Sequence, residues 1–161
     1  MTVEDLKEYG LEEMTSEGIH DFLANERYGV LGFSTDTNPY LLPMAFEYDG
    51  ESNLYFSYFV GSESTKENLT EQADNVSFLV YSPDSVFYWE SVQLTGTLTP
   101  VPESEWDTLD AVVESSWNLA LFKQADTAGR LKIYRFEITD QVGLKATGIP
   151  PGMEEKRAEM K

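Results

Sequence analysis

Ser64-Thr65-Lys66-Glu67-Asn68-Leu69 sets a helix-starting hydroxyl and a lysine after the strand-like run Asn53 to Tyr58 and a short glycine-containing loop. The Ser64 hydroxyl can accept from the Glu67 amide, and the Glu67 carboxylate can reach back to the Ser64 amide, the reciprocal pattern of a capping box. Free amides in a first helical turn, with the helix dipole behind them, attract an anion. Lys66 would add a full positive charge. The same residues also make an ordinary capped helix with a solvated lysine, so the anion reading depends on what surrounds them.

Other chemistry-bearing residues are sparse. Pro43 sits inside a strand-like run, where it cannot donate to a ladder; an edge, a bulge or a non-strand neighbour is implied. The backbone of Met44 and Ala45 would then be free to address a flat polar ligand, although a proline can also occupy an edge without function. Trp89 and Ser91 fall on the strand face opposite Val92 and Leu94, which marks an exposed aromatic or an interface anchor. Tyr55 to Phe59 is an aromatic cluster of the kind strands hold anyway. No Ser-His-Asp set has plausible partners, and no carboxylate pair stands out among 29 acidic residues. Any redox or group-transfer chemistry would then rest on a bound cofactor.

Composition narrows the field. Cysteine is absent, which excludes disulfides, thiolate metal sites and a cysteine nucleophile. The single histidine, His20, lies in a helical pattern with Ile19, Phe22 and Leu23 and reads as a surface or boundary residue, with no second histidine to build a metal site. With 29 acidic against 11 basic residues the net charge is -18, spread along the whole length. Such a surface repels itself at low ionic strength and resembles proteins of salt-accumulating halophiles. It also lacks the basic stripe that nucleic-acid binding needs. No segment approaches the roughly 20 apolar residues of a membrane span, and Met1 to Glu8 lacks a signal-peptide pattern; the expectation is a cytoplasmic protein that acts on no membrane.

The elements that must position these residues can be read in order. Thr15 or Ser16 caps a helix running to Asn25, with Ile19, Phe22 and Leu23 on one face. Strands are expected over 28–35, 39–48, 53–58, 76–81, 87–98 and 131–139, with turns at Asp36-Thr37-Asn38 and Asp49-Gly50. Glu103 to about Trp117 carries the spacing of an amphipathic helix. From Gly143 onward the chain reads as irregular. Six strands with short connections and two helical insertions predict a mainly β fold with helical additions (α+β), an antiparallel barrel closed or nearly so. The expected division is a single domain over 1–152 followed by a charged tail over 153–161.

This series resembles the pyridoxamine-5'-phosphate-oxidase-like, FMN-binding split-barrel proteins. The likeness runs from about Met14 to Thr139: the helix with Phe22-Leu23, Gly29-Val30-Leu31-Gly32-Phe33, Pro39-Tyr40 leading to Pro43, Leu54-Tyr55-Phe56-Ser57, Ser64-Thr65-Lys66, and Trp89-Glu90-Ser91-Val92-Gln93. It implies a six-stranded antiparallel split β-barrel and a homodimer with FMN sites at the subunit interface. Carried over, Pro43, Met44 and Ala45 line the isoalloxazine edge. Phe56, Ser57 and Tyr58 contact the ring and ribityl chain, and Ser64, Thr65 and Lys66 hold the phosphate. Trp89, Glu90 and Ser91 come from the partner chain.

Two departures bear on activity. Thr65 stands where true pyridoxamine-phosphate oxidases usually have an arginine beside the phosphate lysine, and the C-terminal region lacks their Arg-x-His pattern. Looser relatives, including nitroimidazole-reductase-like proteins, are therefore the nearer comparison. The resulting expectation is an FMN-dependent oxidoreductase acting on a small molecule, in a haloarchaeal or otherwise halophilic setting. Against it stand a flavin- or haem-binding module without turnover, and a deazaflavin-dependent reductase, whose longer acidic cofactor would call for more cations than Lys66.

Overall fold

Alternating apolar residues along five segments of this chain point inward and meet in one core. In the computed structural model, which describes residues 2–59, 64–112 and 131–153, the order is α1 (Val3–Glu8), β1 (Leu11–Glu13), α2 (Ser16–Asn25), β2 (Tyr28–Phe33), β3 (Tyr40–Ala45), β4 (Glu47–Tyr48), β5 (Asn53–Phe59), α3 (Thr65–Gln72), β6 (Val76–Ser85), β7 (Tyr88–Pro100), α4 (Trp106–Val112) and β8 (Leu131–Thr147). The strands form an antiparallel sheet in the order β3-β2-β6-β7-β8-β5-β4, with β1 added to β8.

The sheet therefore has eight strands where six were expected. The predicted strand 39–48 is two: it bends at Phe46, so that β3 pairs with β2 and β4 pairs with β5. One continuous stretch thus touches both ends of the sheet and closes it into a split barrel. Phe46 secures the bend from inside, 2% exposed, edge-on to Phe78 at 5.4 Å, with its amide donating to the Arg27 carbonyl at 2.9 Å.

β8 also outruns expectation and stays regular through Gly143 to Thr147, paired with β7. Gly143 is needed there for contact. A Cβ at that position would lie 2.8 Å from Met14 and Ile19, so its absence lets α2 and its approach seat against the sheet. Thr15 caps α2, accepting from the Gly18 amide at 3.0 Å, and Ile19, Phe22 and Leu23 are its buried face, as the spacing predicts.

Inward residues of the central strands, among them Leu31, Phe56, Phe78, Val92, Leu94 and Phe136, are 0% exposed. Truncating one such leucine or phenylalanine to alanine costs about 2–5 kcal/mol. A second cluster lies on the other side of β5 and β8, where Trp106 and Leu109 of α4 cover Tyr55, Leu131 and Ile133. The predicted helix 103–117 resolves into a 3-10 turn over Glu103–Glu105 and α4 to Val112. Val113 to Trp117 lie outside the described residues, as do residues 154–161 of the predicted tail.

Candidate functional site

At the bend at Phe46 the chain changes partners. Glu47 and Tyr48 pair with Tyr55 and Leu54, so the same register carried on would set Ala45 level with Ser57. Instead Ala45 pairs with Tyr28 on β2. Among the described residues no ladder joins β3 to β5, and the edge strand β3 has only β2 as neighbour. The edge position inferred for Pro43 is where it lies, opposite Val30 in register.

The period of two in a strand sorts the predicted site residues by face. Pro43 and Ala45 are exposed on the outer face of β3, while Met44 points inward and packs against the core. Phe56 and Tyr58 are core residues at 0% exposure, and Ser57 faces the opposite way, with Tyr55. A single ligand therefore cannot rest on all three side chains of that triplet. On β7, Trp89 and Ser91 share the outer face, whereas Glu90 lies on the other side. There it helps line a cavity of about 470 Å³ with Glu12, Asp21 and Lys145.

At α3, Ser64 is the N-cap and accepts from the Glu67 amide at 3.2 Å. Only this half of the predicted capping box is made. The Glu67 carboxylate turns instead to the Lys132 ammonium on β8. That bond holds the Lys132 pKa above its ordinary value, chiefly through the hydrogen bond to Glu67.

Lys66 does not extend into solvent. It is half-buried, with its Nζ 4.4 Å from the centre of the Tyr58 ring. Burial pushes its pKa below the ordinary lysine value. Lys132, Arg135 and Lys145 pair with Glu67, Glu105 and Glu12, but Lys66 has no carboxylate within ion-pair distance among the described residues. A partly desolvated ammonium without a counter-ion is an unfavourable arrangement that an incoming anion relieves. Thr65, beside it, is exposed and carries only its backbone amide and hydroxyl to that turn.

A second unmet demand lies on β5. The Ser57 Oγ is buried and has no hydrogen-bond partner among the described residues. Buried hydroxyls are normally satisfied, so this one suits a polar ligand group. A phosphorylated cofactor with polar substituents along its length fits both observations.

Sequence reading missed the supports beneath Lys66. Thr70 is 4% exposed, donates to the Lys66 carbonyl at 2.7 Å, and meets the Tyr58 hydroxyl at 3.1 Å. Its place one helical turn after Lys66 was a usable signal. The role of Lys132 had none, because it depends on the register of a distant strand. Burial lifts the Tyr58 pKa to about 12, so its hydroxyl keeps its proton across the physiological range. His20 is exposed, its Nδ1 3.1 Å from the Tyr48 hydroxyl, in keeping with a surface role.

Residues 15–145 match the family model described as pyridoxamine 5'-phosphate oxidase. No curated protein matches the chain. Among solved structures, a FAD-binding protein from Mesorhizobium loti superposes with a TM-score of 0.67 at 20% identity, covering 85% of this chain and 99% of that one. A FAD and heme binding protein from Mycobacterium smegmatis gives a TM-score of 0.68 at 16% identity, over 94% of this chain and 80% of its own. The FAD binding protein from the same organism gives 0.61 at 17% identity, with coverages of 84% and 99%. At these identities the likeness is one of fold.

Proposed function

Since the chain belongs to the pyridoxamine 5'-phosphate oxidase family, we propose that it binds a flavin, FMN, between β3 and β5 and works as a flavin-dependent oxidoreductase on a small molecule. The observation that carries this reading is Lys66, a half-buried ammonium without a carboxylate partner among the described residues, at the start of a helix capped by Ser64. The Ser57 hydroxyl and the backbone of Pro43, Met44 and Ala45 would address the ribityl chain and ring edge. A bound flavin supplies hydride or electron transfer, and the protein supplies position and electrostatics. The solved neighbours described as FAD-binding support a flavin in general. The terminal monoester of FMN suits one cation and one helix start better than a longer, more acidic coenzyme does, which favours FMN over FAD or a deazaflavin.

The working unit is a homodimer formed through the outer face of the sheet. Pro43, Val30, Leu79, Gln93 and Val142 form a row across five strands that carries no charged side chain, in a chain of net charge -18. Leu41, Leu79, Tyr81 and Val142 on that face are between 39% and 65% exposed. An apolar, uncharged sheet face of this extent is what an interface requires. Trp89 and Ser91 lie on the same face and would reach the partner's site; Glu90 would not. The dispersed acidic charge, -18 in all, supports a protein adapted to high salt.

The purified protein should be yellow, with a flavin spectrum released as FMN and no haem band. Anaerobic NADH or NADPH should reduce it, and a small electron acceptor should reoxidise it. A flavin that neither nucleotide reduces would leave a binding module. A monomer by light scattering in molar salt would remove the dimer. Transfer from molar KCl to about 0.1 M, where the Debye length is near 10 Å, should lower the melting temperature.

A further inference from the structure

Lys66 is held at both ends by one short circuit of contacts. Its carbonyl accepts from the Thr70 hydroxyl at 2.7 Å, and its ammonium lies 4.4 Å from the centre of the Tyr58 ring. Thr70 and Tyr58 meet through their oxygens at 3.1 Å. Threonine has one hydroxyl proton, and it is committed to the Lys66 carbonyl. Tyr58 is therefore the donor in the second bond, and Thr70 the acceptor.

A threonine that bonds back one helical turn is ordinary. Here the threonine also receives a hydroxyl from the neighbouring strand, and the ring bearing that hydroxyl lies beneath the lysine of the same turn. Tyr58 is itself fixed, 0% exposed and 4.5 Å from the Tyr134 ring centre. We propose that Thr70 and Tyr58 are positioning residues that hold the Lys66 ammonium ready for an anion, so that phosphate capture does not require a mobile lysine to be ordered.

The inference deepens the flavin reading and rests on it for the identity of the anion. A lysine free in solvent loses the freedom of a long side chain on binding. A lysine held over a ring has already lost it, and cation–π contact keeps the charge in place. The half-buried seat also shields the charge from added salt better than a surface lysine.

The test compares FMN with riboflavin, which lacks the phosphate, in wild type, Thr70→Val, Thr70→Ser and Tyr58→Phe. Thr70→Val, which deletes both bonds while keeping shape, should lower the ratio of FMN to riboflavin affinity by about fivefold to tenfold. Thr70→Ser, which keeps the hydroxyl, should hold that ratio within about twofold of wild type. In flavin-free protein, the Lys66 ε-methylene protons should show an upfield ring-current shift from Tyr58 that is lost in Thr70→Val and retained in Thr70→Ser. Should Thr70→Val fail to fold, Tyr58→Phe, which keeps the ring and deletes the bond to Thr70, carries the same comparison. An unchanged ratio and shift in the bond-deleting variant, an equal loss of FMN and riboflavin, or no ring-current shift in wild type would overturn the proposal. A wild type that binds neither compound would instead remove the flavin reading, and the flavin-free spectra would still decide whether Thr70 and Tyr58 position Lys66.

Discussion

Two helix starts in this molecule use similar residues to opposite ends. At α1, Thr2 accepts from the Asp5 amide at 3.2 Å and the Asp5 carboxylate accepts from the Thr2 amide at 2.6 Å, a complete capping box. At α3, Ser64 accepts from the Glu67 amide, but the Glu67 carboxylate is drawn away by Lys132. The first helix answers its own dipole with its own acid. The second has its acid neutralised by a neighbouring strand and keeps a lysine that has no counter-ion among the described residues. Whether a helix start keeps its internal carboxylate or loses it to a neighbour is a property of tertiary structure, and on the proposed reading it decides which of the two receives an anion.

The largest expected effect tests the seat of α3. Tyr58 has a folded pKa raised from 10.0 to about 12 by burial, so its contribution is complete below pH 10 and lost as pH rises toward 12. A shift of that size corresponds to roughly 3 kcal/mol of stability. Denaturant titrations at pH 8 and pH 11 should show the loss, and Tyr58→Phe should flatten it.

Next, Lys66→Ala should weaken FMN by at least about tenfold, since charge-assisted bonds are worth about 1.5–3 kcal/mol. Fluorescence titration reads this directly, and an unaltered affinity would abolish the contrast between the two helices. Lys132→Ala should release Glu67 to close its own box, lowering FMN affinity by about threefold, in line with the modest worth of a partly exposed ion pair. Glu67→Gln in the same background should restore that loss.

The smallest effect belongs to α1. Its Asp5 pKa is depressed by hydrogen bonds from the backbone and side chain of Thr2, so its cap persists above the ordinary carboxylate value and fails as pH falls through the depressed one. Amide chemical shifts of α1 should report fraying there, and Asp5→Asn should leave FMN affinity unchanged.

What the sequence disclosed followed from local rules. The face of α2, the turn at Asp49-Gly50, the edge character of Pro43 and the cap at Ser64 each depend on neighbours a few residues away. The Asp49 carboxylate indeed accepts from the amides of Glu51, Ser52 and Asn53, with Gly50 at φ 80°. The bend at Phe46 was hidden, because residues 39–48 alternate as one strand and the change of partner is decided by β2 and β5. The regular course of β8 past Gly143 was hidden as well, since a glycine required for close approach by Met14 and Ile19 reads like a breaker. At Phe56-Ser57-Tyr58 the alternation already separated the faces. The family resemblance grouped three residues that the pleat divides.

Pro43 has one further consequence. An edge strand is a template on which another chain can add itself, the first step toward fibrous assembly. Pro43, opposite Val30 of β2 on that edge, has no N–H to donate to a strand that adds itself there. If the proposed flavin lies along this edge, its rim offers poor purchase to a polypeptide. The proline thus guards the edge of β3 against strand addition, and leaves the face of the sheet free to meet a second copy.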